Sequence, residues 1–178
     1  MHSTLARLYR CRATIGNRSR PFLSMNGKTQ HKRGPDRLLL ISCSKRKRAD
    51  SKLMPAIDRY DGPAFYVLRR YLRETNDRQL RIYILSAEFG IINLRRLIPD
   101  YDRFMTHSRA RELREQTTRS LKSILQRTRC TELFICAGSA YEDAIDIAYL
   151  KQTVSVKIAA RGQGPKLSSL HGWLRHRH

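Results

Sequence analysis

Residues 37–48 read RLLLISCSKRKR. The first half is continuously apolar, with none of the alternation a half-exposed strand would need, so it reads as a strand buried on both faces. The second half turns at once to small hydroxyl residues and four consecutive cations. Three further segments have strand character: 80–87 (LRIYILSA), 131–137 (TELFICA) and 154–159 (VSVKIA). Between them the period changes to that of a helix. Gly62 to Glu74 places Phe65, Leu68 and Leu72 on one face behind Pro63, a residue suited to a first turn. Ser108 to Arg127 carries Ala110, Leu113, Thr117, Leu121, Ile124 and Leu125 on one side. Ser139 to Leu150 reads as one helix with Glu142 and Asp143 in its first turn, and Pro165 to Leu174 as a closing helix. Strands alternating with helices predict an α/β fold: a three-layer, mostly parallel sheet of about four strands with helices on both faces.

The chain has 178 residues, which suits one domain. Its charge is the outlier: 36 Lys and Arg against 15 Asp and Glu, a net +21. Such an excess attracts polyanions, and nucleic acid is the expected partner, DNA before RNA. A merely solubilising basic surface is the plainer explanation. No apolar run approaches the roughly 18 residues that span a bilayer, and no amphipathic basic helix suggests a membrane surface. The cysteines Cys11, Cys43, Cys130 and Cys136 form no CxxC pair, and the histidines supply no metal-ligand spacing. Neither a metal nor a cofactor is expected. Nothing calls for an oxidising compartment, so a cytoplasmic location is expected.

Residues 1–34 hold eight Lys and Arg and no acidic residue. That composition predicts a flexible basic tail ahead of a single α/β domain at 35–178. A nucleic-acid-gripping arm, an organelle transit peptide, and upstream sequence before a start at Met25 are all compatible with it.

In a parallel sheet, ligands gather at the carboxyl ends of the strands. Four segments fall there. Cys43, Ser44, Lys45, Arg46 and Lys47, with Arg48 behind them, make a turn able to hold a phosphate; a solvated basic run is the alternative. Ser86, Glu88, Phe89 and Gly90 follow the second strand, and Asp100, Tyr101 and Asp102 lie a short link beyond. Carboxylates beside an anion-binding loop suit general-base work or stabilisation of a sugar cation, although turn and cap formation accounts for them equally. Gly138, Ser139 and Tyr141 lead from the third strand into a helix, either as an anion site or as an ordinary cap. Gly162, Gly164 and Lys166 form a weaker phosphate-turn pattern. Trp173, on the same helical side as Leu170, reads as core.

The runs LLLISCSKRK, IDRYDGPAF, YILSAEFGII, IPDYDRFM, CAGSAYEDAI and GQGPKLSSLHGWL are together similar to a bacterial and phage family of unknown function with a strand–CSKRK opening. That family resembles the YaaA peroxide-stress proteins, echoed here by Ile84–Gly90 and Pro99–Tyr101, and more distantly DNA-glycosylase-like and tRNA base-exchange folds. The resemblance spans about residues 37–174 and leaves the tail outside. It implies a DNA-binding α/β protein, with Cys43, Ser44, Lys45, Lys47, Tyr60, Ser86, Gly90, Tyr101, Asp102, Gly138 and Tyr141 at the family's matching positions. Residues 91–96 (IINLRR) depart from it, where relatives often have a small-residue or proline turn.

The expected function is therefore action on a DNA base or its N-glycosidic bond. Lys45–Arg48 would hold phosphates and an extruded nucleotide would enter the strand-end cleft. Phe89 or Tyr101 would stack on the base. Asp102, or else Glu88, would orient water or stabilise the sugar cation, and Lys45 would steady the departing base. A non-catalytic DNA-binding stress protein and a tRNA base-exchange partner are the alternatives.

Overall fold

The computed structural model describes residues 37–176. The expected tail at residues 1–34 lies outside them. Strands β1 (Arg37–Ser42), β3 (Leu80–Ser86), β4 (Gly90–Asn93), β6 (Glu132–Cys136) and β7 (Ser155–Ile158) form a five-stranded sheet in the order β4-β3-β1-β6-β7. All neighbours are parallel except β3 and β4, which pair antiparallel. The fold is thus α/β with a mostly parallel sheet. One strand exceeds the expected four: Gly90 and the first three residues of the IINLRR departure fold back on β3 instead of forming a simple turn. Gly90 makes the reversal possible, because its φ of +65° lies where side-chain-bearing residues are strained. A separate two-residue pair, β2 (Met54–Pro55) with β5 (Leu97–Ile98), was not legible in the sequence.

Strand β1 is central, and its side chains alternate between two apolar clusters. Leu39 and Ile41 join Phe65 and Leu68 of helix α2 (Pro63–Glu74) and Leu170 and Trp173 of helix α6 (Gln163–Arg175). Leu38 and Leu40 join Ala110, Leu121 and Ile124 of helix α3 (His107–Thr128). Double-sided burial is why the strand reads as an unbroken apolar run. Each leucine so buried contributes about 1.5–3 kcal/mol.

Helix α3 buries the six residues expected of it and is capped by Thr106, whose side chain accepts from Arg109 N–H. Two expectations are corrected. On α2 the third buried residue is Tyr71 and not Leu72, which is exposed; the Tyr71 ring packs inward while its hydroxyl donates to Asp77 at 2.8 Å. The helix expected from Ser139 to Leu150 is two short ones, α4 (Ser139–Glu142) and α5 (Ile147–Lys151). The break is made by Asp146, whose carboxylate caps α5 through Tyr149 N–H at 3.1 Å. Trp173 is core, stacked on Phe134 with centroids 4.8 Å apart. Among the described residues no helix is long and apolar enough to cross a membrane.

Candidate functional site

Parallel pairing continues one residue past β1, where Cys43 N–H donates to Leu85 O at 2.9 Å and its side chain is buried. The basic run then lies antiparallel to the residues after helix α1 (Ala56–Arg59). Asp61 N–H donates to Arg46 O at 3.0 Å, Lys47 bridges to Tyr60, and Arg48 N–H donates to Arg59 O at 2.8 Å. The approach is close: a Cβ on Gly62 would sit 2.6 Å from Ser44 Cβ. Only glycine fits beside the turn.

This registry carries Tyr60 to the carboxyl end of β3, where three hydroxyls meet. Tyr60 Oη and Tyr101 Oη are 2.6 Å apart, Tyr101 Oη lies 3.0 Å from Ser86 Oγ, and Tyr60 Oη donates to Ser86 Oγ at 3.3 Å. One donor order satisfies the ring: Tyr60 to Ser86, Ser86 to Tyr101, Tyr101 to Tyr60. Ser86 Oγ also accepts from the backbone N–H groups of Glu88 and Phe89, both at 3.2 Å, which fixes the turn after β3. Such closed networks reinforce each member. Beside the ring, Cys43 Sγ lies 3.1 Å from Tyr141 Oη.

Burial, and then the facing Cys43, push the Tyr60 hydroxyl up to about 12. The same causes raise Tyr101 and Tyr141 well above the ordinary phenol range. Cys136 is pushed up to about 11 by burial, with Lys166 pulling the other way. At neutral pH these groups are protonated; the ring uses its three protons internally, so an incoming acceptor or a developing anion would take one of them over from a ring partner. A consequence concerns alkaline stability. In the unfolded chain Tyr60 ionises near pH 10, and in the folded chain near 12. The stability is therefore fully present below pH 10 and is lost as the pH rises through 12, by about 3 kcal/mol for this one group. Chemical denaturation followed between pH 9 and 12 should show a decline at least that large, and Tyr60→Phe should make it shallower, with Tyr101 and Tyr141 supplying the remainder.

Cations border the cluster. Lys47 Nζ sits 4.4 Å from the Tyr101 ring centroid, Lys45 Nζ 5.4 Å from that of Phe104, and the Arg96 guanidinium 5.0 Å from that of Phe89. Phe89 meets Tyr101 edge-on at 5.1 Å. A Cβ built on Gly138 would lie 3.9 Å from Lys166 Nζ, so the third and fourth strand-end segments adjoin. The first meets the second through Tyr60, Ser86 and Tyr101, and meets the third through Cys43 and Tyr141.

Of the residues singled out in the sequence, Cys43, Tyr60, Ser86, Tyr101 and Tyr141 are brought together, with Lys47 and Phe89 against them. Ser44 is spent on its own turn, donating to Arg46 O, and Arg46 pairs with Asp61 at 3.2 Å. Glu88 is paired with Arg103 at 3.1 Å. Asp102, Ser139, Gly162 and Gly164 are exposed and enter none of these ring hydrogen bonds or aromatic contacts. Three contributors were missed. Arg96 and Phe104 carry no motif. Arg59 is wholly buried and donates to the carbonyls of Arg48, Asp50, Lys52 and Ile98; set between Asp58 and Tyr60, it gave no sequence signal of burial.

Residues 38–172 match the model of a family of unknown function, DUF6884, and the chain belongs to that family. No curated protein matches it. Among solved structures, the crystal structure of AF0587, a protein of unknown function, is similar with a TM-score of 0.49 at 12% identity, covering 81% of this chain and 46% of that one. The chain therefore spans less than half the length of that protein.

Proposed function

We propose that the carboxyl edge of the sheet binds nucleic acid, DNA before RNA, and acts on an extruded base or its N-glycosidic bond in the manner of a DNA glycosylase. The observation that carries this reading is the closed Tyr60–Ser86–Tyr101 ring with Lys47 over Tyr101 and Arg96 over the adjoining Phe89, and with Lys45 and Lys166 on neighbouring strand-end segments. The cations attract phosphates, and neutral phenols meet the acceptor atoms of a base. In the reaction, water oxygen bonds to the sugar carbon while the carbon–nitrogen bond breaks. The electron pair leaves with the base, a phenol hydrogen-bonds to the nitrogen or oxygen that gains it, and the water proton passes through a carboxylate to the base. Glu88 or Asp102 would be that carboxylate, and Lys45 would steady the phosphate. This reading keeps the proposed kinship with YaaA-type and glycosylase-like proteins, a three-layer fold, and action in the cytoplasm.

A second reading is a DNA-binding stress protein without chemistry. It is favoured by Glu88 being held by Arg103 and by Asp102 standing outside the hydroxyl ring. One assay separates the two. The protein is incubated with duplex and single-stranded DNA carrying damaged or hypermodified bases, and with tRNA; free base and abasic sites are then measured. Base release on at least one DNA substrate is expected. Tight, salt-dependent binding with no release across the panel establishes the second reading, and release from tRNA alone moves the substrate to RNA.

A further inference from the structure

Resting on that nucleic-acid reading, we propose that the outward face of α3 is a track for the sugar–phosphate backbone of a single strand that continues from the carboxyl edge. Helix α3 carries Arg109, Arg111, Arg114, Arg119, Lys122 and Arg127 against only Glu112 and Glu115. A basic helix face is often no more than solvated surface. Here it is concave on both flanks. Towards α5 lies a groove of about 570 Å3 whose walls include Arg111, Arg114, Arg119, Lys122, Asp146 and Tyr149. Towards β4 lies a second, of about 460 Å3, which shares Arg119 and adds Arg96 and Arg127.

Two observations join these grooves to the strand-end cluster. Arg96, in the second groove, is the cation stacked on Phe89 at the rim. Arg109, in the first turn of α3, donates to the carbonyls of Ala87 and Glu88 in the loop after β3. The cationic path is therefore continuous: Phe89 rim, Arg96, Arg119, then the α5 groove. Its own carboxylates neutralise only part of it. Glu115 takes Arg119, and Asp146 takes Arg114 at 3.8 Å. Arg111 and Lys122 have no carboxylate partner among the described residues. Lys122 lies over the Tyr149 ring, 5.3 Å from its centroid, so the groove pairs a cation with an aromatic face. Phosphate-tracking cations beside a ring on which a base can stack are the recognition chemistry of single strands, which is tolerant of sequence. A duplex keeps its bases inside and has no use for Tyr149. The helix is about 33 Å long at 1.5 Å per residue, enough for several nucleotides.

The test is fluorescence anisotropy of the full chain with labelled oligothymidine about 6 and about 20 nucleotides long, and with duplex DNA, over a range of salt. The wild type should prefer the long strand. The triple variant Arg111→Gln, Arg119→Gln, Lys122→Gln should lose about 30-fold in affinity for it, with the log–log salt slope reduced by about 2, and keep its affinity for the short strand. Tyr149→Leu should cost about tenfold on the long strand. Arg111, Arg119 and Lys122 lie outside the apolar core, so unchanged circular dichroism and melting are expected of the triple variant; Tyr149 packs partly against the core, and Tyr149→Leu keeps an apolar side chain there. Equal affinity for both lengths, or an unaltered salt slope in the triple variant, overturns the track while leaving the strand-end reading intact. A loss confined to duplex overturns the single-strand assignment. Failure of the wild type to bind any nucleic acid, including a protein that binds only anionic vesicles, overturns both.

Discussion

Arg59→Met should lower the free energy of unfolding by about 3–5 kcal/mol, read as a shifted urea midpoint with an unchanged slope. The guanidinium is wholly buried and donates to Arg48 O at 2.7 Å, Asp50 O at 2.9 Å, Lys52 O at 2.5 Å and Ile98 O at 3.4 Å. Its fifth donor, Nε, has no partner. Methionine fills much of the volume but leaves four carbonyls short of a donor, each costing about 1–3 kcal/mol where water cannot replace it. Lysine does not rescue the site, since a single ammonium cannot match a planar fork. Because one acceptor ends the basic run and two more lie just after it, the same change should loosen Lys45–Arg48 and weaken the proposed nucleic-acid binding. A loss below about 1 kcal/mol would mean that water enters and that the cage stabilises little.

The second large effect concerns chemistry. Tyr101→Phe should reduce base release about 10²- to 10³-fold, the usual cost of removing one donor aimed at developing charge, with nucleic-acid affinity held within about threefold. The ring geometry explains the separation. Tyr101 Oη touches only Tyr60 Oη and Ser86 Oγ, so its loss removes a donor from the pocket without disturbing a cation. Ser86→Ala is the contrasting variant. That hydroxyl also holds the Glu88 and Phe89 amides, so binding and stability should fall together with turnover. Base release by Tyr101→Phe at the wild-type rate would remove the phenol ring from the mechanism and favour the protein without chemistry.

The family resemblance and the strand-end rule together pointed at most of the cluster. Cys43, Ser86, Tyr101 and Tyr141 were each legible because each follows a segment whose strand or turn pattern is strong. The carboxylates were harder to place. A sequence can say that Glu88 and Asp102 lie near a strand end, but not that Arg103 takes Glu88 or that Asp102 faces solvent, because those outcomes depend on how residues 99–105 lie against the basic loop. Arg96 escaped notice for the same reason. It reaches Phe89 only because residues 90–93 double back as an antiparallel strand, where the kinship pointed to a turn.

By itself the sequence determined the mostly parallel sheet, the buried face of α3 and which segments follow the carboxyl ends of the strands. Those follow from local periodicity, since double-sided burial demands an unbroken apolar run and a helix face repeats every three to four residues. Only the tertiary structure decided that Tyr60 completes a hydroxyl ring, that Arg59 ties down the basic loop, and that Asp146 splits the helix expected after β6. Each of these turns on a few hydrogen bonds between segments distant in the chain or on competition between a side chain and the backbone, and neither leaves a period to read.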